Sequence, residues 1–71
     1  MIDVFVRGPL TLGALLKVAG IAGSGGEAKA MVQGGRIRLN GAEERRRAHL
    51  VRPGDVVAID DQEYRVCTSP R

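Results

Sequence analysis

At Arg36 the spacing of apolar residues changes from a period near 3.6 to a period of 2, so helices are expected before that point and strands after it. Upstream, Leu12, Leu15, Leu16 and Ala19 fall at i, i+3, i+4 and i+7 and form one apolar stripe. Thr11 stands at the N-cap and Gly20 at the stop, which leaves a first helix of only about two turns. A helix that short needs tertiary packing to persist. Lys17 lies opposite the stripe, facing water. Beyond the connector Ile21-Ala22-Gly23, the run Ser24-Gly25-Gly26-Glu27 has the spacing of a capping box, Ser at the cap and Glu three residues on. Ala28, Met31 and Val32 supply the buried stripe of this second helix, Lys29 sits off it, and Gly34-Gly35 ends it.

Downstream, Ile37 and Leu39 alternate with Arg36 and Arg38, giving a strand with one core face and one positive face. Asn40-Gly41 is the strongest short hairpin signal, and pairing there would bring the two arms of segment 36–52 side by side. Leu50 and Val51 return to apolar character, and Pro53-Gly54 marks a turn. Asp55–Ile59 reads as a strand, Asp60-Asp61 as a turn, Gln62–Val66 as the last strand and Cys67–Arg71 as a loose tail. Residues 2–6 (IDVFV) read as an opening strand that Gly8-Pro9 stops. The order β-α-α-β-β-β predicts an α+β fold, two short helices packed on one side of a small antiparallel sheet.

A chain of 71 residues reads as one domain, residues 1–71, with a small core and no room for an enclosed cofactor pocket. Length therefore favours a surface binder. The net charge is +3 and it is unevenly placed: residues 1–54 hold nine basic and four acidic side chains, residues 55–71 two basic and four acidic. A basic body with an acidic end points to one anion-attracting face. Nine of the eleven basic residues are Arg, whose planar fork matches phosphate; a GC-rich genome would also raise the Arg content. The single cysteine, Cys67, allows no internal disulfide, so a reducing cytoplasm is the expected compartment. No stretch approaches the roughly 20 apolar residues of a membrane span, and the N-terminus lacks the pattern of a signal peptide.

Two places can carry binding chemistry. At the start of the second helix, Gly25 and Gly26 leave backbone N–H groups bare at the positive end of the dipole, with Lys29 one turn in and Lys17 on the neighbouring helix. Ser24, Glu27 and the glycines could equally do no more than cap and turn the chain. The second place is Arg45-Arg46-Arg47, flanked by Arg36, Arg38, His49 and Arg52. Like charges at that density repel, and a phosphate partner would relieve them; a solvated face screened by Glu43 and Glu44 is the other reading. His49 has no second His or Cys pair at metal-ligand spacing, and Cys67 has no His near it in sequence. No catalytic constellation, metal site or cofactor motif is found. Phe5 and Tyr64 are the only aromatic residues, so there is no platform for stacking splayed bases.

Taken together, TLGALLKVAGIAGSGGEAKAMVQGGRIRLNG, the triple arginine 45–47 and RPGDVV resemble the αL RNA-binding motif, the domain named for ribosomal small-subunit protein four. The likeness covers residues 10 to about 59 and is greatest to short stand-alone bacterial members. It rests on Leu12, Leu15-Leu16-Lys17, Gly20, the run Ser24–Lys29, Gly34 or Gly35, Arg36, Asn40-Gly41 and Gly54-Asp55 in this order. The resemblance implies that Ser24, Gly25, Lys29 and Arg45, Arg46 and Arg47 face RNA, with Lys17 as a further contact. Gly25 departs from the family, which often has Arg or Lys directly after the helix-opening Ser. The stretch between Asn40-Gly41 and Leu50 is also about one residue shorter than in its nearest relatives.

The expectation is thus a monomeric, non-enzymatic binder of structured ribosomal or transfer RNA. Its contacts are Lys17, Ser24, Gly25, Gly26, Lys29, Arg36, Arg38 and Arg45–Arg47 on one continuous face. The ribosome, or an RNA-modifying enzyme supplied in trans, is the expected setting. The alternative is a protein-interaction module whose basic face docks an acidic partner, such as one on the ribosome.

Overall fold

The computed structural model describes residues 1–69. Its elements are β1 (Ile2–Val6), β2 (Leu10–Thr11), α1 (Leu12–Val18), α2 (Gly25–Gln33), β3 (Ile37–Leu39), β4 (Ala42–Glu43), β5 (Leu50–Val51), β6 (Val56–Ile59) and β7 (Gln62–Thr68). Both helices begin where cap chemistry dictates. The Thr11 hydroxyl oxygen accepts the Ala14 N–H at 3.1 Å, and the Ser24 hydroxyl oxygen accepts the Glu27 N–H at 3.1 Å. The Glu27 carboxylate turns back past Ser24 to accept from the Gly23 N–H, one residue earlier than a reciprocal capping box would have it. Gly20 at φ 75° and Gly35 at φ 78° take the left-handed backbone that follows each helix.

Five strands form one sheet in the order β1-β7-β6-β3-β4. The sheet is mixed, which corrects the antiparallel expectation: β1 runs parallel to β7, Ile2 opposite Tyr64 and Val6 opposite Thr68. Adjacent strands joined by a tight turn must run antiparallel, but β1 and β7 are joined by nearly the whole chain. Both helices and the β3–β4 hairpin lie in that connection, so it serves as the long crossover that parallel pairing needs. Pairing with β1 also extends the last strand through Cys67 and Thr68, which the sequence reading assigns to a tail; the Ser69 N–H still donates to the Val6 carbonyl at 2.7 Å. Pro70 and Arg71, the rest of that expected tail, lie outside the described residues.

The Asn40-Gly41 turn is present, with φ of 53° and 87°, the pair of positive values a two-residue hairpin turn needs. Its second arm is only two residues long, Arg38 opposite Glu43 and Leu39 opposite Ala42. The arms of 36–52 are therefore not side by side: the chain leaves the sheet after Glu43 and crosses towards α1. There Leu50–Val51 pairs with Leu10–Thr11 as a second, two-stranded sheet. Strand β6 opens at Val56, one residue later than expected. The Asp55 carboxylate instead accepts the Arg52 N–H at 2.9 Å and the Asn40 side-chain amide at 3.1 Å.

One hydrophobic core joins the layers. Leu12, Leu15 and Leu16 of α1, Val32 of α2, Ile37, Val51, Val57 and Val66 are fully buried in it, and among the described residues no polar side chain is buried with them. Each such side chain contributes roughly 1.5–3 kcal/mol by leaving water, which is what holds a seven-residue helix in place.

Candidate nucleic-acid interface

The loop after β4 is shaped by its own hydrogen bonds. The Glu44 N–H donates to the Ile37 carbonyl at 3.0 Å. The Arg46 N–H and the Arg46 Nε each donate to Glu44 Oε2 at 3.1 Å, and the His49 N–H donates to the Arg46 carbonyl at 3.1 Å. Thus closed, the loop presents two carbonyls to the start of α1. The Gly13 N–H donates to Arg47 O at 2.9 Å and the Leu12 N–H to His49 O at 2.8 Å. With the Ala14 N–H on Thr11, the first-turn donors of α1 are occupied, so this helix start offers nothing to an anion.

The docked loop completes a groove of about 360 Å³. Gly13, Ala14 and Lys17 come from α1, Gly25 and Ala28 from α2, and Arg47 and Ala48 from the loop. Its floor is built of small side chains and its charged walls are Lys17 and Arg47. Among the described residues neither cation has a carboxylate partner. The amides of Gly25 and Gly26 likewise donate to no group among the described residues, so the start of α2 keeps its open donors and dipole end. Lys29 stands four residues after Gly25, hence on the same side of α2, and is also without a carboxylate partner. Ser24 spends its oxygen on the cap and retains its hydroxyl hydrogen to donate.

The other expected contacts are placed differently. Arg45 is ion-paired with Glu43 and folds over Gly35, where a Cβ would stand 2.8 Å from its Nη2. Arg46 is paired with Glu44, which draws its guanidinium further above its already high ordinary value. Glu44 in turn is held below the ordinary carboxylate range, first by the Arg46 side-chain bond and then by the Arg46 N–H. Arg36 pairs with Asp60 at 3.0 Å in a separate concavity of about 740 Å³ that Glu27, Asp61 and Tyr64 also line. Arg38 is exposed between buried Ile37 and Leu39, so it points out of the opposite sheet face, beside Ala58 and Glu63. Arg36 and Arg38 line other concavities and not the groove, so the expected cations do not all share one hollow. Arg7 and Arg52 are unpaired among the described residues but do not line it.

Sequence reasoning missed the floor: Gly13, Ala14, Ala28 and Ala48. The signal available was the small pair Gly13-Ala14 directly after Leu12, the buried first residue of the helix. A Cβ on Gly13 would stand 3.5 Å from the Cβ of Arg47, so the helix start and the loop approach closely.

Residues 6–67 match the S4 domain, nearly all of the described chain. The chain belongs to the S4 domain family. S4 domains are in general RNA-binding modules and typically carry no catalysis of their own. No curated protein matches the sequence. The S4 match reaches beyond residues 10–59, on which the resemblance rests, and takes in nearly all of β7. Among the described residues of this S4 domain, no group of three or more His, Cys, Asp or Glu is placed to hold a metal ion. No described helix is long and apolar enough to cross a membrane.

Proposed function

We propose that this S4 domain binds structured RNA, of the ribosomal or transfer class, by seating the sugar–phosphate backbone in the groove between α1, α2 and the 44–49 loop. One observation carries the reading: Lys17 and Arg47, both without carboxylate partners among the described residues, share a concavity whose third wall is the open start of α2. Arg47 takes a phosphate through its fork, Lys17 and Lys29 supply point charges, and the Gly25 and Gly26 amides donate along the dipole. Gly25 lets the backbone approach the ligand where a longer side chain would stand between them. The aromatic residues support backbone rather than base recognition, since Phe5 and Tyr64 line other concavities. In this reading the domain acts as a cytoplasmic monomer without chemistry of its own, on the ribosome or beside an RNA-modifying enzyme supplied in trans.

The test is binding of purified bulk transfer RNA, and separately of purified ribosomal RNA, across a salt series. Three neutralised phosphates give a log–log slope of about −2 to −3. A flat salt dependence, or retention by neither RNA, overturns the proposal. Capture of an acidic protein that survives nuclease treatment, without affinity for either RNA, would instead favour a protein-docking role.

A further inference from the structure

Glu44 sits inside the most basic stretch of the chain, and on charge alone it should oppose the binding of an anion. Its surroundings argue the reverse. The side chain is only 13% exposed, against 49% for its neighbour Glu43. One carboxylate oxygen holds both the backbone N–H and the Nε of Arg46, and the other faces His49 Nδ1 at 3.5 Å. These contacts span the whole turn from residue 44 to residue 49. The same turn hands the Arg47 and His49 carbonyls to the Gly13 and Leu12 amides of α1. Arg47 lies between the pinned residues, and it is the one residue of the triple arginine that lines the groove. Glu43, by contrast, accepts from the side chain of Arg45 and, among the described residues, bonds no loop backbone.

We infer that Glu44 is a positioning residue for RNA binding: its carboxylate folds the 44–49 loop against α1 and so sets Arg47 into the groove. The inference rests on the groove being the RNA site proposed above. It makes the sign of a charge deletion diagnostic. Removing the Glu44 carboxylate lets the loop leave α1, and the affinity lost with Arg47 outweighs the gain from one fewer negative charge. Removing the Glu43 carboxylate only releases Arg45, so the affinity stays level or rises.

The experiment compares Glu44→Ala, Glu44→Gln and Glu43→Ala, with Arg47→Ala alone and combined with Glu44→Ala, for transfer RNA affinity and for amide resonances. Glu44→Ala should weaken binding about tenfold, a loss of the size expected for one charged hydrogen-bond contact. Glu44→Gln, which keeps one acceptor oxygen, should fall between it and wild type. Glu43→Ala should bind at least as tightly as wild type. In the Arg47→Ala background, Glu44→Ala should cost no more than about a further twofold, because coupled residues are not additive. The Leu12 and Gly13 amides should lose exchange protection in Glu44→Ala and keep it in Glu43→Ala. Binding by Glu44→Ala as tight as or tighter than wild type, or full additivity with Arg47→Ala, overturns the inference while the groove stands. Wild-type binding by Arg47→Ala itself means that the groove is not the RNA site.

Discussion

On one flank of α2, Lys17 and Arg47 line a groove with small residues of both helices and the loop, and among the described residues no carboxylate pairs with them. On the other flank, Arg36 meets Asp60, and Glu27 and Asp61 line the same hollow. The second concavity is the larger, about 740 Å³ against 360 Å³, yet the cations without an ion-pair partner among the described residues line the smaller one. The larger hollow holds one cation, already paired, and the smaller groove holds two. What separates them is where the acidic turn between β6 and β7 lands, since that turn neutralises one side of the helix and leaves the other alone. The same contrast recurs within the arginine run: among the described residues, Arg45 and Arg46 have acidic partners and Arg47 has none.

The strongest way to break this comparison is to reverse the charges of the basic flank. Lys17→Glu with Arg47→Glu should lower RNA affinity by about 100-fold or more in filter binding, since each charged hydrogen bond is worth about 1.5–3 kcal/mol. Both side chains line an open groove and neither belongs to the core, so the melting temperature should change little. Next in size, Ser24→Ala removes the cap that shapes the start of α2. It should cost about 1 kcal/mol, seen as a melting temperature lower by about 4–8 °C, together with a few-fold loss of RNA affinity. Smaller still, Arg36→Glu on the acidic flank should leave RNA affinity within about twofold of wild type, and its exposed pair with Asp60 is worth at most about 1 kcal/mol in a thermal melt. A hundredfold loss from Arg36→Glu would show that the two flanks act as one surface.

The smallest effect is the response of the loop to acid. Glu44 is held below its ordinary value of 4.5, so its ionised form favours the docked loop. That contribution is complete above pH 4.5 and is lost as the pH falls through the lowered value of the folded state. An amide titration should find the Gly13 resonance unmoved by Glu44 between about pH 5 and 8 and shifting only in stronger acid. Movement centred above pH 4.5 would place the controlling group elsewhere.

Much of the architecture was legible because it is local. Thr11 and Ser24 cap helices within three residues of themselves, Asn40-Gly41 turns on its own backbone, and the apolar stripes need no more than the helical period. Apart from one-residue shifts at Glu27 and at the start of β6, the misses are non-local. The partner of β1 lies some sixty residues away with no turn to reveal its direction, and two-residue strands such as β2 and β5 are too short to show a period. Among the expected contacts, the helix positions of Lys17, Gly25 and Lys29 could be read from the helical period. That Arg36 would be taken by an aspartate 24 positions on could not.

Before any folding, then, the order of residues already specified two capped helices, a tight hairpin and a surplus of positive charge, since each depends on neighbours a few bonds apart or on simple counting. Which cations stay unpaired, and which arginine of three reaches the groove, came from the docking of one loop on α1 and one acidic turn beside α2. Those are distances between segments remote in the chain, and electrostatic pairing is governed by such distances and not by order along the backbone.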